Sequence, residues 1–480
     1  MFNYLSIISV LFTLINQEKL FVQSFSPNSF SPTTYTDEAL ADQIVNLPGL
    51  NYNTGFNQFS GYINLQGTKK NIHYWLTESE INPETSPIVF WTNGGPGCSG
   101  LIGFMTEQGP FKPDINNNLI KNEWAWNKIV NMVFLEQPVG VGFSYSDDSN
   151  DYKIDDKQAA QDNLKTILGF FKKFPHFAKL PIYITSESYG GHYMPQLAQV
   201  IFSYNENQIT LNQSTLNFAG LAVGNPYVDF YSGTGAMMET YYNFNLLPQP
   251  MWQSYVDEGC TNPLVMLNNS MCSAYILKFD KIVGNINPYA LEFPACVTSQ
   301  QNHISNFINN MFDSKLLGSY EPCEENYATS YLNDKDVREA LHVKTDIEWV
   351  DCSRTTKYST ADRMKSTKYL YKDLLMNKNF PNFRMMVYYG DVDSVCSNAY
   401  SKWLFDLDFK YLENELWNIW SVDGQTSGFI TQFKTSLDSK EIPNRFTYAT
   451  VHDAGHEVPA YKPKESFILF QAFINANFNI

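Results

Sequence analysis

Short apolar runs of strand length alternate with longer stretches of helical periodicity along most of this chain. "SPIVFWTNGG" and "NMVFLEQP" are continuous apolar runs bounded by Pro, Asn and Gly, the pattern of buried strands. Between Asp155 and Phe174, apolar residues at Ala160, Leu164, Ile167, Leu168 and Phe171 recur at helical spacing. A β-prone run at Pro181 to Thr185 follows, and then Leu197, Val200, Ile201 and Tyr204 mark one face of a second helix. "LNFAGLAVGNP" reads as another buried strand. This βαβα rhythm predicts a mostly parallel, doubly wound sheet. The rhythm breaks after Pro226, and from there to about Asp351 the chain is polar, irregular and helix-rich. It resumes at "FRMMVYYGDVDS" and "NRFTYATVHDAGHEVP". The expected organisation is an α/β core in two parts, 37–225 and 353–480, carrying an inserted helical cap at 226–352.

The start departs from this pattern. "MFNYLSIISVLFTLINQ" is apolar from Leu5 to Ile15, too short to span a membrane and the right length for a signal-peptide core. Residues 1–24 are therefore expected to be a signal peptide, and 25–36, rich in Ser, Pro and Thr, a flexible leader. No later stretch reaches transmembrane length. The chain has 480 residues, 44% of them apolar, which suits a large catalytic domain with an insertion. Its formal net charge of −16 argues against nucleic acid and anionic membranes as partners. The odd count of 7 cysteines implies bridges plus one leftover thiol in a secreted chain, without saying which pair. Two sequons, at Asn212 and Asn268, agree with a secretory route and mark expected glycosylation sites.

The candidate chemistry sits where strands end. The run "PIYITSESYGGHY" stops at a serine flanked by small residues, as a strand-to-helix nucleophile elbow requires, although Ser186 stands where the elbow's first glycine belongs. An aspartate of "GDVD", Asp391 or Asp393, follows the strand "RMMVYY", and His456 follows "RFTYATV". The order Ser, Asp, His is that of the α/β-hydrolases. In this scheme Ser188 attacks a carbonyl, His456 moves the proton, and the aspartate holds the imidazole. "FWTNGGPGCSGL" also ends a strand in a glycine turn, which suits backbone donors to a tetrahedral oxygen: Gly95, with Tyr189 as the residue after the nucleophile. No lysine follows these glycines as a nucleotide-binding loop would require, and no metal or cofactor is expected.

Taken together, "WTNGGPGCSG", "TEQGPF", "EQPVGVGFSY", "SESYGGHY", "YLNDKDVREALHV", "YYGDVDSVCSN" and "DAGHEVP" closely resemble the serine carboxypeptidases, a secreted and lysosomal branch of the α/β-hydrolases. The resemblance covers nearly the whole mature chain. It implies an α/β-hydrolase fold with a disulfide-stapled cap and selects Asp393 as the triad acid. The activity it implies is release of C-terminal residues from peptides and proteins through an acyl-enzyme, optimal at acid pH. It implies further that Asn93, Glu187 and the Gly94 N–H recognise the substrate's terminal carboxylate, with Glu107 paired to Glu187. A carboxylate repels a carboxylate, so such a site works only if the glutamates hold protons. Like charges held close raise one pKa strongly. Trp91, Val395 and Glu457 are expected to border the substrate, Glu457 resembling members that accept basic terminal residues. The cysteine pairs implied are Cys98–Cys352, Cys260–Cys272 and Cys296–Cys323, leaving Cys396 as a free thiol near the site. Substrates are peptide or protein C-termini, a homodimer is left open, and the destination is the lysosome, vacuole or exterior. The resemblance leaves two other uses of the scaffold: an acyltransferase, whose plant members tend to carry Asp where this chain has Glu187, and a protective partner of lysosomal enzymes.

Overall fold

The computed structural model describes residues 35–296, 320–397, 404, 407, 410–411, 417–434 and 445–480. The expected signal peptide and the leader up to residue 34 lie outside the described residues. Tyr35 and Thr36, assigned to the leader by composition, are already part of the fold. The Tyr35 hydroxyl donates to Glu78 Oε1 at 2.7 Å. The Thr36 hydroxyl accepts the Ala39 N–H and caps helix α1 (Asp37–Ala41). A capping threonine beside a buried acceptor is enough to order a polar stretch.

The sheet is built from β1 (Gln58–Asn64), β2 (Lys70–Thr77), β3 (Ile88–Thr92), β4 (Asn131–Leu135), β5 (Ile182–Glu187), β6 (Phe218–Gly224) and β7 (Arg384–Gly390). A hairpin of β8 (Asn418–Val422) and β9 (Gln425–Lys434) follows, and then β10 (Phe446–Val451). Spatial order is β1-β2-β4-β3-β5-β6-β7-β10-β9, with β8 on β9. From β4 to β10 neighbours run parallel, and both edges are antiparallel. The sheet is therefore mixed, with a parallel centre. The βα rhythm dictated that centre, because each parallel neighbour needs a crossover.

Both faces of the parallel strands are covered, which is why they read as unbroken apolar runs. Ile88, Phe90, Ile182, Ile184, Leu221 and Val223 face one core with Ile167 and Phe170 of α2 (Asp156–Lys173) and Leu197 and Ile201 of α3 (Gly190–Thr210). The alternate positions Val89, Trp91, Tyr183 and Ala222 face the other core with Phe470 and Phe473 of α9 (Pro463–Asn475). Burying each such aliphatic or aromatic side chain contributes roughly 1.5–3 kcal/mol. α2 starts sharply because the Asp155 side chain accepts the Gln158 N–H at 2.7 Å.

Between β6 and β7 the chain forms α4 (Phe230–Asn243), α5 (Gln249–Asp257), α6 (Ser270–Val283), α7 (Glu324–Leu332) and α8 (Lys368–Leu375), together with shorter helices. Met238, Tyr255, Met266 and Phe279 form a small separate core around the Cys260–Cys272 disulfide. α7 does not share it. Its Ala328, Tyr331 and Leu332 join the main core under the sheet. The other bridges are Cys98–Cys352 and Cys296–Cys323. No helix among the described residues is long and apolar enough to cross a membrane. Asn212 and Asn268 are both exposed.

Candidate active site

Ser188 stands one residue past β5 with φ of +56°, in the left-handed region that a non-glycine residue adopts only under constraint. The constraints are visible. Ser188 N–H donates to the Gly224 carbonyl at 3.0 Å, and its own carbonyl accepts from Gly191 and Tyr227. Gly190 is obligatory, since a Cβ there would lie 2.2 Å from Ser186 Oγ. Ser186 itself fits where a glycine was expected, because its hydroxyl donates to the Thr92 carbonyl at 2.6 Å and ties the elbow to the end of β3. Across the turn, a Cβ on Gly94 would meet Tyr189 N at 2.5 Å, so the glycine loop and the N–H of the residue after Ser188 approach each other directly. Gly95 has φ of +109°.

The "GDVD" loop resolves into two separate pairs. Asp391 accepts from His452 Nδ1 at 2.8 Å, and the His452 side chain is 55% exposed. Asp393 is buried and accepts from His456 Nδ1 at 2.7 Å. Its other bonds come from the backbone N–H of Val395 at 2.7 Å and Cys396 at 3.1 Å, and from Asn225 Nδ2 at 2.8 Å. Burial opposes a charge on His456, but the Asp393 carboxylate outweighs it and raises the imidazole pKa to about 9. Asn225 and Tyr289 were missed by sequence reading. Asn225 directly follows β6 in "VGNP", at the carboxyl edge where ligands gather, and that position was its signal. Tyr289 gave no signal: it comes from the stretch between β6 and β7, its carbonyl accepts the His456 N–H at 2.8 Å, and its ring meets the imidazole edge-on.

Beside the elbow lies a carboxyl cluster. Asn93 Nδ2 donates to Glu187 Oε1 at 2.7 Å and to Glu107 Oε1 at 3.0 Å. Its Oδ1 accepts from Trp91 Nε1 at 2.8 Å and from the Gly103 N–H at 3.0 Å, which fixes the amide's orientation. Trp91, expected to border the substrate, is 1% exposed and packs edge-on against Trp126. It orients Asn93 from behind, because its place on β3 points the indole into the core. Burial, then the Glu457 carboxylate, pushes Glu107 up to about 8. Burial and the Glu107 and Glu457 charges hold Glu187 well above the ordinary range. Burial is also the main cause raising Glu457, beside His456, to about 7. Glu107 Oε2 is buried with no partner, which is far less costly for a neutral carboxyl than for a carboxylate. Val395 is partly exposed beside the acid loop.

Cys396 is a buried free thiol, and its backbone N–H donates to Asp393 Oδ2 at 3.1 Å. Burial and the Asp393 charge push its thiol well up, so it is a poor nucleophile. Cys396→Ser is expected to keep kcat within about tenfold of wild type, while a bulky organomercurial slows the wild type and spares the variant. A variant as inactive as Ser188→Ala contradicts this reading of the thiol.

A family model described as serine carboxypeptidase matches residues 48–476. The chain is 33% identical over 460 residues to "Serine carboxypeptidase 24" of Arabidopsis thaliana, covering 93% of this chain and 94% of that protein. It is 32% identical to "Serine carboxypeptidase-like 28" of the same plant, covering 91% of each. Among solved structures, Kex1Δp, a prohormone-processing carboxypeptidase from Saccharomyces cerevisiae, superimposes with a TM-score of 0.72. That match has 20% identity and covers 91% of this chain and 96% of the other, a likeness of fold.

Proposed function

The chain belongs to the serine carboxypeptidase family of hydrolases, and from that premise we propose that it releases single C-terminal residues from peptides and proteins through an acyl-enzyme, favoured at acid pH. Ser188 attacks the scissile carbonyl carbon, and its proton passes to His456. The new oxyanion meets the N–H groups of Tyr189 and Gly95. The imidazolium returns the proton to the departing amino acid's nitrogen, leaving the acyl group on Ser188. Water, deprotonated by His456, then attacks the acyl carbon and frees the shortened peptide. Asp393 stabilises the imidazolium throughout.

The observation that carries the exopeptidase reading is the Asn93 amide bonded at once to Glu187 and Glu107. Two buried carboxyls with raised pKa, one sequence-adjacent to Ser188, supply protonated donors for a terminal carboxylate. Glu457, next to His456 in the chain, borders the terminal side chain in this reading and favours a basic one. Val395 borders the neighbouring side chain. The disulfides support passage through the secretory route, with sugar attached at Asn212 and Asn268.

Digestion of a peptide library across about pH 4 to 7 tests the reading. Free amino acids should appear one at a time from the C-terminus. Internal cleavage products, or equal cleavage of C-terminally amidated peptides at acid pH, would overturn it.

A further inference from the structure

Behind the elbow, on the side away from the carboxyl cluster, lies a second buried polar network that the mechanism above does not use. At its centre is Asp156, in the first turn of α2 and 6% exposed. Its Oδ1 accepts from the Tyr189 hydroxyl at 3.1 Å and the Tyr358 hydroxyl at 2.6 Å. Its Oδ2 accepts from His192 Nδ1 at 3.0 Å and Gln196 Nε2 at 2.7 Å. Three of these donors, Tyr189, His192 and Gln196, recur at helical spacing on one face of α3 and its cap. The Tyr189 and His192 rings stack 4.6 Å apart. One turn on, the Tyr193 hydroxyl accepts the Gly97 N–H at 3.1 Å and joins the same helix to the glycine loop.

Tyr189 has two ends that matter. Its ring is anchored on Asp156, and its backbone N–H faces the glycine loop. The peptide carrying that N–H is the one that follows Ser188, whose φ of +56° is unfavourable. A strained turn persists only where its surroundings over-determine it. We propose that Asp156 is a positioning residue for the reaction. By gripping Tyr189 and His192 it sets the Ser188–Tyr189 peptide plane, and so the aim of both the nucleophile and its adjoining oxyanion donor. This rests on the reading of Ser188 and Tyr189 given above.

The chemistry of the network suits that task. Burial opposes the charge on Asp156, yet the hydrogen bonds from His192 and Tyr358 keep its carboxyl below the ordinary range. It is a charged hub with its acceptor sites filled. Removing one link leaves a buried charge short of a partner, so the hub is stiff. A displacement of the elbow by about 1 Å is enough to cost about a hundredfold in rate.

The test compares wild type, Asp156→Asn, Tyr189→Phe and Ser188→Ala. Steady-state kcat and KM are measured on an N-blocked dipeptide with a free C-terminus, and affinity is measured for a peptide boronic acid that forms a tetrahedral adduct on serine. For Asp156→Asn and Tyr189→Phe, kcat should fall about 10- to 100-fold and boronate affinity by the same factor, with KM within about twofold. Tyr189→Phe loses a single hydroxyl, so it decides the matter if Asp156→Asn does not fold. The proposal is overturned if the folded variants keep kcat and boronate affinity, or if their whole loss lies in KM, as general loosening of the α2–α3 packing would give. An active Ser188→Ala would instead bring down the serine reading itself, so the two failures are told apart.

Discussion

Ser188→Ala is expected to lose at least about 10⁴-fold in peptide hydrolysis while still binding substrate. Ser188 is the one residue of the site without a substitute. His456 can activate a water only if one sits where Oγ was, and the acyl-enzyme route is gone. The recognition proposed for Asn93, Glu107 and Glu187, which bond one another, does not call on the Ser188 hydroxyl, so KM should change little. The fold should be retained, since an alanine adopts the same strained φ with one atom fewer. A fluorophosphonate should label the wild type covalently and leave the variant unlabelled. Labelling of the variant at another residue, with activity kept, would show that the nucleophile lies elsewhere.

The second large effect is in pH. For free-acid peptides, KM should rise steeply as pH passes neutrality towards about 8, where Glu107 gives up its proton. Once Glu107 and Glu187 are both ionised, the pocket repels the terminal carboxylate it must bind. Amidated or ester substrates carry no charge there and escape the penalty. Their rate should keep rising as His456, with its pKa raised to about 9, loses its proton and becomes a base. Stability carries the same sign. A carboxyl raised from its ordinary range to about 8 adds stability that is complete below about pH 4.5 and is lost as pH rises through 8. The His456 contribution likewise is present below its ordinary value and lost towards 9. The double variant Glu107→Gln with Glu187→Gln supplies neutral donors at every pH. It should flatten the KM profile and shrink the fall in melting temperature between about pH 5 and 8. Identical KM-against-pH curves for free-acid and amide substrates, or an unaltered curve in the double variant, would rule out the proton-sharing pair.

Much of this was legible before any fold was known. Unbroken apolar runs marked β3, β5 and β6, and a 3.6-residue pattern marked α2 and α3, because burial on both sheet faces forces unbroken apolar runs and burial on one helix face forces a stripe. Strand ends then pointed to Ser188, an aspartate and His456 in hydrolase order. The motif set named the family, and through it the pairing of Cys98 with Cys352, which no local pattern could supply.

Residue patterns by themselves left open the choices between residues that are neighbours in the chain but not in space, and only the family resemblance chose Asp393 over Asp391. Asp391 and Asp393 are chemically the same and two positions apart. β7 and β10 lie side by side, so each acid meets a histidine: Asp391 takes exposed His452 and Asp393 takes buried His456. Asn225 reaches Asp393 across 168 residues because β6 adjoins β7. Trp91 carried a substrate-binding motif yet faces the core. Asp156 looked like an ordinary first-turn carboxylate until α2 packed against α3 and brought Tyr189, His192 and Gln196 to it. Local periodicity fixes which face of an element is buried. Which polar groups then share that interior depends on strand order and helix packing, and these are properties of the whole chain.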